Sequence, residues 1–459
     1  MNKVEFSTLP LTESMLSNIK TLDYQYMTAI QSQSLPLIIE GRDLLAQAKT
    51  GSGKTAAFAI GLLHKLDVQV YQTQAMVICP TRELADQVAN DIRRLARFLP
   101  NTKIATLCGG KPIATQLTSL ERPPHIVIGT PGRIAKHLQK GSLKLEKLNT
   151  LVLDEADRML DMGFHDDIMK IINQLPKKRQ TLLFSATYPD EIKKISNTIQ
   201  INPADVRVDE IQDKKYIKQI AYEIGENART PTLLSLLRHY QPDSCVIFCN
   251  RKQQCQELTD ELWRLGFHAL SLHGDHDQKK RDQVLVQFSN KSSSILVATD
   301  VAARGLDIKE LSLVVNFELS PDPEVYVHRI GRTGRAGQDG IAASLFIKSE
   351  QRKLTAIEEY QQAKIALSTP SSLKENVSKL IPMMVTICIS GGRKSKVRPG
   401  DILGALTANK ELTGNQIGKI NISDNVSYVA VERDVAKQAL TILSDGKIKG
   451  RMFKVRLLY

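Results

Sequence analysis

Short apolar runs rich in β-branched residues recur through the first 320 residues and alternate with longer stretches of helical period. The run at 75–80 is followed by a stretch that places Leu84, Val88, Ile92 and Leu95 on one helical face. Similar runs stand at 126–130, 151–154 and 181–186, and the rhythm restarts after residue 215 with runs at 245–250, 295–300 and 313–317. A strand wet on one face alternates apolar and polar residues. An unbroken apolar strand between helices belongs to a parallel sheet covered on both sides. The spacing predicts two α/β units in tandem, joined near Asn202 and Pro203.

A Ser/Thr/Pro cluster at 368–372 reads as a linker. Beyond it the pattern becomes strand (384–389), helix opening at Asp401, strand (417–422), strand (428–431), helix opening at Asp434, and strand (453–458). Asp401 and Asp434 are read as N-caps. A β-α-β-β-α-β order in about 80 residues is the layout of the small α+β RNA-recognition (RRM-like) fold. The expected boundaries are 1–205, 213–366, a linker at 367–379, and 380–459.

Composition narrows the class. The chain carries 62 Lys and Arg against 49 Asp and Glu, a net charge of +13, and 42% of its 459 residues are hydrophobic. Residues 380–459 hold +7 of that excess, so the tail is the first candidate for a polyanionic partner. No apolar run reaches the ~18 residues of a membrane span, and the N-terminus lacks a secretory h-region, so a soluble cytoplasmic protein is expected. Six cysteines show no C-x-x-C spacing, and buried reduced thiols are expected rather than a metal cage or disulfides.

Ala48, Lys49, Thr50, Gly51, Ser52, Gly53, Lys54 and Thr55 open a predicted helix after the apolar run at 43–46. They match the phosphate-cradling loop, with Ala48 where the first Gly is usual. Gly51 and Gly53 let backbone N–H groups turn onto phosphate oxygens, and the helix N-terminus adds partial positive charge. Lys54 would reach the β- and γ-phosphates, and Thr55 would ligate Mg²⁺. The bland alternative, a Gly-rich turn, weakens on meeting a second motif about a hundred residues on. There Asp154, Glu155, Ala156 and Asp157 follow the run Leu151–Leu153, at the strand end where open parallel sheets bind ligands. Asp154 would hold Mg²⁺ and Glu155 would position or deprotonate the attacking water. In the second unit Arg332 and Arg335, three apart on a predicted helical face, supply cations for the γ-phosphate transition state.

With Asp-Glu-Ala-Asp at 154–157, the chain resembles the DEAD-box RNA helicases over roughly residues 6–350. Further motifs stand in family order: 80–85 (Pro-Thr-Arg-Glu-Leu-Ala), Gly109-Gly110, 130–133 (Thr-Pro-Gly-Arg), 185–187 (Ser-Ala-Thr), 273–275 (His-Gly-Asp), Gln278 with Arg281, and 298–307. The resemblance implies two RecA-like domains, ATP and Mg²⁺ as cofactors, and RNA as partner. It implies that Gln31 reads the adenine edge and that Tyr24, with Phe6 behind it, stacks on the base. This chain has Asp23 and Met27 where the family usually has Gly and Pro. Gly305 and Asp307 would approach the nucleotide from the second unit. Asp157, Ser185, Thr187 and His328 would couple closure of the units to RNA. Arg82, Gly110, Thr130, Arg133, Arg281 and Thr299 would hold the RNA sugar–phosphate backbone, with little base preference. An ATP-gated clamp or chaperone without productive unwinding is the alternative, and a DNA translocase is third.

In the tail, Arg393, Lys394, Lys396 and Arg398 follow the first strand, while Lys447, Lys449 and Arg451 approach the last. Recognition folds of this layout stack bases on strand aromatics, yet only Tyr428 is expected on the open face. Binding should therefore lean on the basic loops. A DEAD-box core with a short, basic, aromatic-poor tail resembles bacterial family members with a ribosomal role. That likeness implies a large-subunit (23S-type) ribosomal RNA hairpin and pre-ribosomal particles as partners, and a part in large-subunit assembly.

Overall fold

The structure is a computed structural model that describes residues 3–48, 51–188, 190–208, 217–300, 311–334, 339–374 and 380–458. The chain divides into two compact units. The first is built on a seven-stranded sheet with β1 (Leu44–Gln47), β2 (Ala75–Ile78), β3 (Ile104–Leu107), β4 (Ile126–Gly129), β5 (Thr150–Leu153), β6 (Gln180–Ser185) and β7 (Ala204–Arg207). Their order is β3-β4-β2-β5-β6-β1-β7, and every neighbouring pair is parallel. All C-terminal strand ends therefore share one edge.

The apolar runs are continuous because both faces of this sheet are covered. Leu44, Val77, Ile126, Val152 and Leu182 enter one core; Leu45, Met76, Val127, Leu151 and Leu183 enter the other. Each strand's period-2 alternation thus distributes residues between two cores rather than between core and water. Helix α1 (Lys54–Lys65) follows β1. After β2 comes α2 (Arg82–Leu95), capped by Thr81, whose Oγ1 accepts from the Leu84 N–H at 3.2 Å. Leu84, Val88, Ile92 and Leu95 are buried together as their spacing predicted, at about 1.5–3 kcal/mol each. Helices α3 (Ile113–Leu120), α4 (Pro131–Gln139) and α5 (Ala156–Asp161) follow β3, β4 and β5.

The second unit repeats the plan with β8 (Ile217–Glu223), β9 (Cys245–Cys249), β10 (Ala269–Leu272), β11 (Ile295–Thr299), β12 (Leu313–Asn316), β13 (Gly340–Phe346) and β14 (Ala366–Ser368). The order is β10-β11-β9-β12-β13-β8-β14, again parallel throughout. Helices α6 (Gln278–Ser289) and α7 (Pro323–Ile330) carry motif residues. α7 ends at Ile330 with Gly331 as its C-cap, so Arg332 lies in the following turn rather than on the expected helix, and Arg335 lies outside the described residues.

The same unit includes the tail, an antiparallel sheet of β15 (Met384–Ile389), β16 (Ile417–Ile422), β17 (Ser427–Glu432) and β18 (Val455–Leu458) in the order β16-β17-β15-β18. Helices α8 (Pro399–Thr407) and α9 (Ala436–Asp445) accompany it. Neither expected N-cap holds. α8 opens at Pro399, and the Asp401 carboxylate accepts from the Arg398 N–H at 2.8 Å from inside the first turn. Asp434 sits in a single 3₁₀ turn, Arg433–Val435, ahead of α9. The six cysteines are buried and free, as expected. Trp263 keeps 40% of its surface exposed while its indole N–H donates to the Ala269 carbonyl at 2.6 Å.

Candidate active site and RNA-binding edge

The strand order divides the C-terminal edge of the first sheet into two halves. Strands β5, β6 and β1 end in Asp154–Asp157, Ser185–Thr187 and the phosphate loop. Strands β3, β4 and β2 end in Gly109-Gly110, Thr130–Arg133 and Thr81-Arg82. The adjacent pair β2 and β5 joins the halves.

On the phosphate half, Gly51 and Gly53 take φ of +90° and +98°, which favour glycine. A Cβ on Gly53 would stand 2.5 Å from Gln31 Nε2 and 2.9 Å from Thr28 Oγ1. Gln31 is tied to this loop: its Nε2 donates to the Gly53 carbonyl at 3.1 Å, and its Oε1 accepts from the Thr28 N–H at 2.9 Å. That leaves the amide one N–H and one lone pair, the complement of an adenine N7 and N6–H₂ edge. Tyr24 stacks on buried Phe6 with ring centroids 6.4 Å apart. Asp23 before it takes φ +62°, so the turn keeps the left-handed geometry that Gly would ordinarily supply.

Three polar atoms in this half are buried with no hydrogen-bond partner among the described residues: Ser52 Oγ, Lys54 Nζ and Asp154 Oδ1. A buried ammonium and a buried carboxylate oxygen left so are costly unless a ligand takes them up. The set fits a polyphosphate accompanied by a divalent cation. Lys54 would meet phosphate oxygens, and Asp154 with the half-buried Thr55 would hold Mg²⁺. Burial lifts the Asp154 carboxyl to about 7; Lys54 pulls against that rise and the like charge of Glu155 adds to it.

Glu155 stands in left-handed backbone, φ +53° and ψ +52°, and its Oε2 accepts from Arg158 Nη1 at 2.6 Å. Arg158 carries no signal in the sequence, because a basic residue three positions after an acid is a common surface pattern, and only burial gives it meaning. Asp157 accepts from the N–H groups of Ala186 (3.0 Å) and Thr187 (2.8 Å) and from the Thr187 hydroxyl (2.9 Å). Burial alone would raise its pKa, but Lys54 and the bonds from Thr187 outweigh burial and hold it below the usual value. Ser185 Oγ accepts from the Asp157 N–H at 3.4 Å, so the β5 and β6 ends are locked together.

On the other half, the Arg82 guanidinium lies against Gly109 and Gly110, and a Cβ on either would meet it. Arg133 Nη1 donates to the Lys111 carbonyl and to Gln116 Oε1, both at 3.0 Å. Thr130 precedes α4, with Pro131 at its first position.

In the second unit, Thr299 ends β11 and Arg281 lies on α6. Arg329, 1% exposed and beside His328, binds Asp300 through Nε (2.6 Å) and Nη2 (2.7 Å), and Asn250 Oδ1 at 2.8 Å. Lys49, Thr50, Gly305, Asp307 and Arg335 lie outside the described residues.

The tail departs from expectation at Tyr428. Its sheet face is not open but packs on α6. Tyr428 (4% exposed), Cys388 and Leu458 cluster with Val286, and Asn290 Nδ2 donates to the buried Thr386 Oγ1 at 3.2 Å. Lys419 Nζ donates to Ser289 Oγ at 3.2 Å. The cause is composition: Thr386, Cys388 and Leu458 make a small, largely apolar face that a helix can cover. The two basic clusters, distant in sequence, meet where Lys449 Nζ donates to the Lys396 carbonyl at 3.1 Å. Arg393 pairs with Asp424 at 3.2 Å on the surface.

Comparison with known proteins agrees with these features. The DEAD/DEAH box helicase family matches residues 28–195, the helicase conserved C-terminal domain residues 228–337, and the DbpA RNA binding domain residues 386–457. Yeast Dbp5 bound to RNA and ADP BeF3 aligns with a TM-score of 0.72 at 30% identity, covering 80% of this chain and 96% of that one. The chain belongs to the DEAD-box ATP-dependent RNA helicases, and as such is an RNA-dependent ATPase. Within that family it is DbpA-like along its whole length. It is 54% identical to ATP-dependent RNA helicase DbpA of Escherichia coli over 454 residues, 99% of each chain. It is 36% identical to DbpA of Bacillus subtilis over 98% of each chain.

Proposed function

We propose that this helicase opens short structured RNA locally and is addressed by its tail to large-subunit (23S-type) ribosomal RNA, acting in the cytoplasm on pre-ribosomal particles during assembly of that subunit. The full-length likeness to DbpA proteins, tail included, is the observation that carries the address. The meeting of the two basic clusters at Lys449 and Lys396 supports it, since one continuous cationic surface suits a folded hairpin better than two isolated loops. Arg393, Lys394, Lys396, Arg398, Lys447, Lys449 and Arg451 form that surface in this reading. Tyr428 is withdrawn from it because its ring is buried. The working units are 1–205, 213–366 and 380–459, with 367–379 as linker, although strands β7 (Ala204–Arg207) and β14 (Ala366–Ser368) run past the first two bounds.

Gln31 and Tyr24 hold adenine, the loop from Ala48 to Thr55 cradles the phosphates, and Lys54 neutralises their charge. Mg²⁺, held by Asp154 and Thr55, would supply Lewis-acid stabilisation of phosphate charge. Glu155 accepts the proton of the attacking water. Arg332 and Arg335 meet the charge that develops on the γ-phosphate, with Gly305 and Asp307 beside the nucleotide. Arg82, Gly110, Thr130, Arg133, Arg281 and Thr299 grip the RNA backbone. Asp157, Ser185, Thr187 and His328 transmit its presence to the phosphate half. The test is release of a short duplex tethered to a ribosomal RNA hairpin at saturating ATP. Release identifies a helicase working at its address. A duplex left intact while ATP is consumed identifies a clamp.

A further inference from the structure

Gln116 lies on α3 and is 4% exposed. Its side-chain amide ties together the pieces of the edge that end β3 and open α4. Nε2 donates to the carbonyl of Cys108, the residue before Gly109-Gly110, at 2.8 Å. Oε1 accepts from Arg133 Nη1 at 3.0 Å and lies 2.9 Å from Nε2 of His137. A carbonyl can only accept and a guanidinium can only donate, so the amide has one satisfiable orientation. His137 Nε2 must then carry the proton and donate to Gln116. Nδ1 of the same ring, which is fully buried, faces the Ser142 hydroxyl at 2.9 Å. Ser142, His137, Gln116 and Arg133 thus form a chain whose two middle members, His137 and Gln116, are buried and whose ends, the Ser142 hydroxyl and the Arg133 guanidinium, are half-buried. Both polar atoms of the Gln116 amide are engaged, and buried polar networks fix geometry.

We propose that Gln116 is a positioning residue for RNA, which sets the Arg133 guanidinium and the Gly109-Gly110 turn in register before the backbone arrives. The inference rests on the reading of Arg133 and Gly110 as RNA contacts. An Arg side chain held by a fixed acceptor loses less freedom when it meets a phosphate, and that saving appears as affinity. A residue that merely filled the core would have no reason to present an acceptor to a half-exposed cation and a donor to the carbonyl beside a glycine turn.

The test uses the full-length chain with Gln116→Met, which keeps size and removes both bonding functions, Gln116→Glu, which keeps the acceptor and removes the donor, and Arg133→Ala as reference. Binding of a labelled single-stranded oligouridylate is followed by anisotropy with ADP and beryllium fluoride at one salt concentration, alongside RNA-stimulated ATPase. Gln116→Met is expected to weaken RNA binding about ten-fold, the size of one well-placed charge-assisted contact. Half-saturating ATP and the turnover rate at saturating RNA should stay within about two-fold. Gln116→Glu should fall between Met and the parent. RNA affinity within about two-fold of the parent in both variants, with Arg133→Ala clearly weakened, overturns the role of Gln116. A fall in turnover and melting temperature with no preferential loss of RNA affinity also overturns it, leaving a structural residue. If Gln116→Met does not fold, Gln116→Glu decides by the same split. An unweakened Arg133→Ala would instead overturn the reading of Arg133.

Discussion

Arg158 Nη1 stands 2.6 Å from Glu155 Oε2, and the two side chains are only 4% and 5% exposed. The pair spans one turn at the start of α5, directly after the left-handed backbone of Glu155. The carboxylate proposed to accept a proton from water is thereby held at a fixed place while buried. Such a pair contributes little net stability, yet losing one partner is expensive because the other is left charged and unmatched.

Arg158→Met should therefore destabilise the first unit by roughly 3–5 kcal/mol, a fall in melting temperature on the order of 10 °C for a domain of this size. The double variant Glu155→Gln/Arg158→Met, which removes both charges, should recover much of that loss. Thermal unfolding of the three proteins decides; a double variant no more stable than Arg158→Met would mean that the pair is not coupled.

Glu155→Gln alone should reduce turnover by at least ~10²-fold, as expected when a positioned general base is lost, while ATP and RNA binding persist. Turnover near the parent rate in that variant would remove Glu155 from the reaction.

Asp154, raised by burial to about 7, makes the site sensitive to pH. Its folded-state pKa lies above the unfolded value of ~3.9. Without nucleotide this group therefore stabilises the fold at low pH and loses that contribution as pH rises through about 7. A divalent cation held at Asp154 would require its carboxyl to be ionised. Half-saturating Mg–ATP should fall between pH 6 and 8, with proton release visible by calorimetry in buffers of different ionisation enthalpy. Binding with no proton release across that range would show that Asp154 is already ionised.

Gly53→Ala should weaken ATP binding by more than Thr55→Ser. It forces a side chain into φ +98° and into the Gln31 amide, which must then move from the place proposed to meet adenine. Titration with a fluorescent ATP analogue measures this, and equal losses in the two variants would contradict it.

Tyr428→Ala should leave affinity for a ribosomal RNA fragment within about three-fold because the residue is buried, whereas loss of a base-stacking aromatic would cost ~1–3 kcal/mol. It should instead loosen the tail from α6, which proteolysis between residues 366 and 384 would reveal. A drop of ten-fold or more in RNA affinity would return Tyr428 to the binding face.

Much of this was legible in the sequence for a physical reason. Strands buried on both faces are written as unbroken apolar runs, and Leu44–Gln47 and Ala75–Ile78 could hardly be anything else. Phosphate loops and strand-end acids are local in sequence, so Lys54 and Asp154 announce themselves. What stayed hidden depends on partners distant in the chain. Thr386 and Tyr428 face α6 roughly 100 and 140 residues earlier, and Gln116 meets Cys108, Arg133 and His137 together. No period or spacing records such meetings. Asp401 misled as an N-cap because a carboxylate that accepts from a neighbouring N–H serves the third position of a helix as well as the cap.

The most direct test of an ATP-driven RNA helicase with a ribosomal address is steady-state ATP hydrolysis with no RNA, a generic single strand, and a large-subunit ribosomal RNA fragment at equal salt. Turnover should be low without RNA and stimulated far more strongly by the ribosomal fragment than by the generic strand. That preference should vanish when residues after about 370 are removed. Equal stimulation by both RNAs would contradict the address, and hydrolysis indifferent to RNA would contradict the coupling itself.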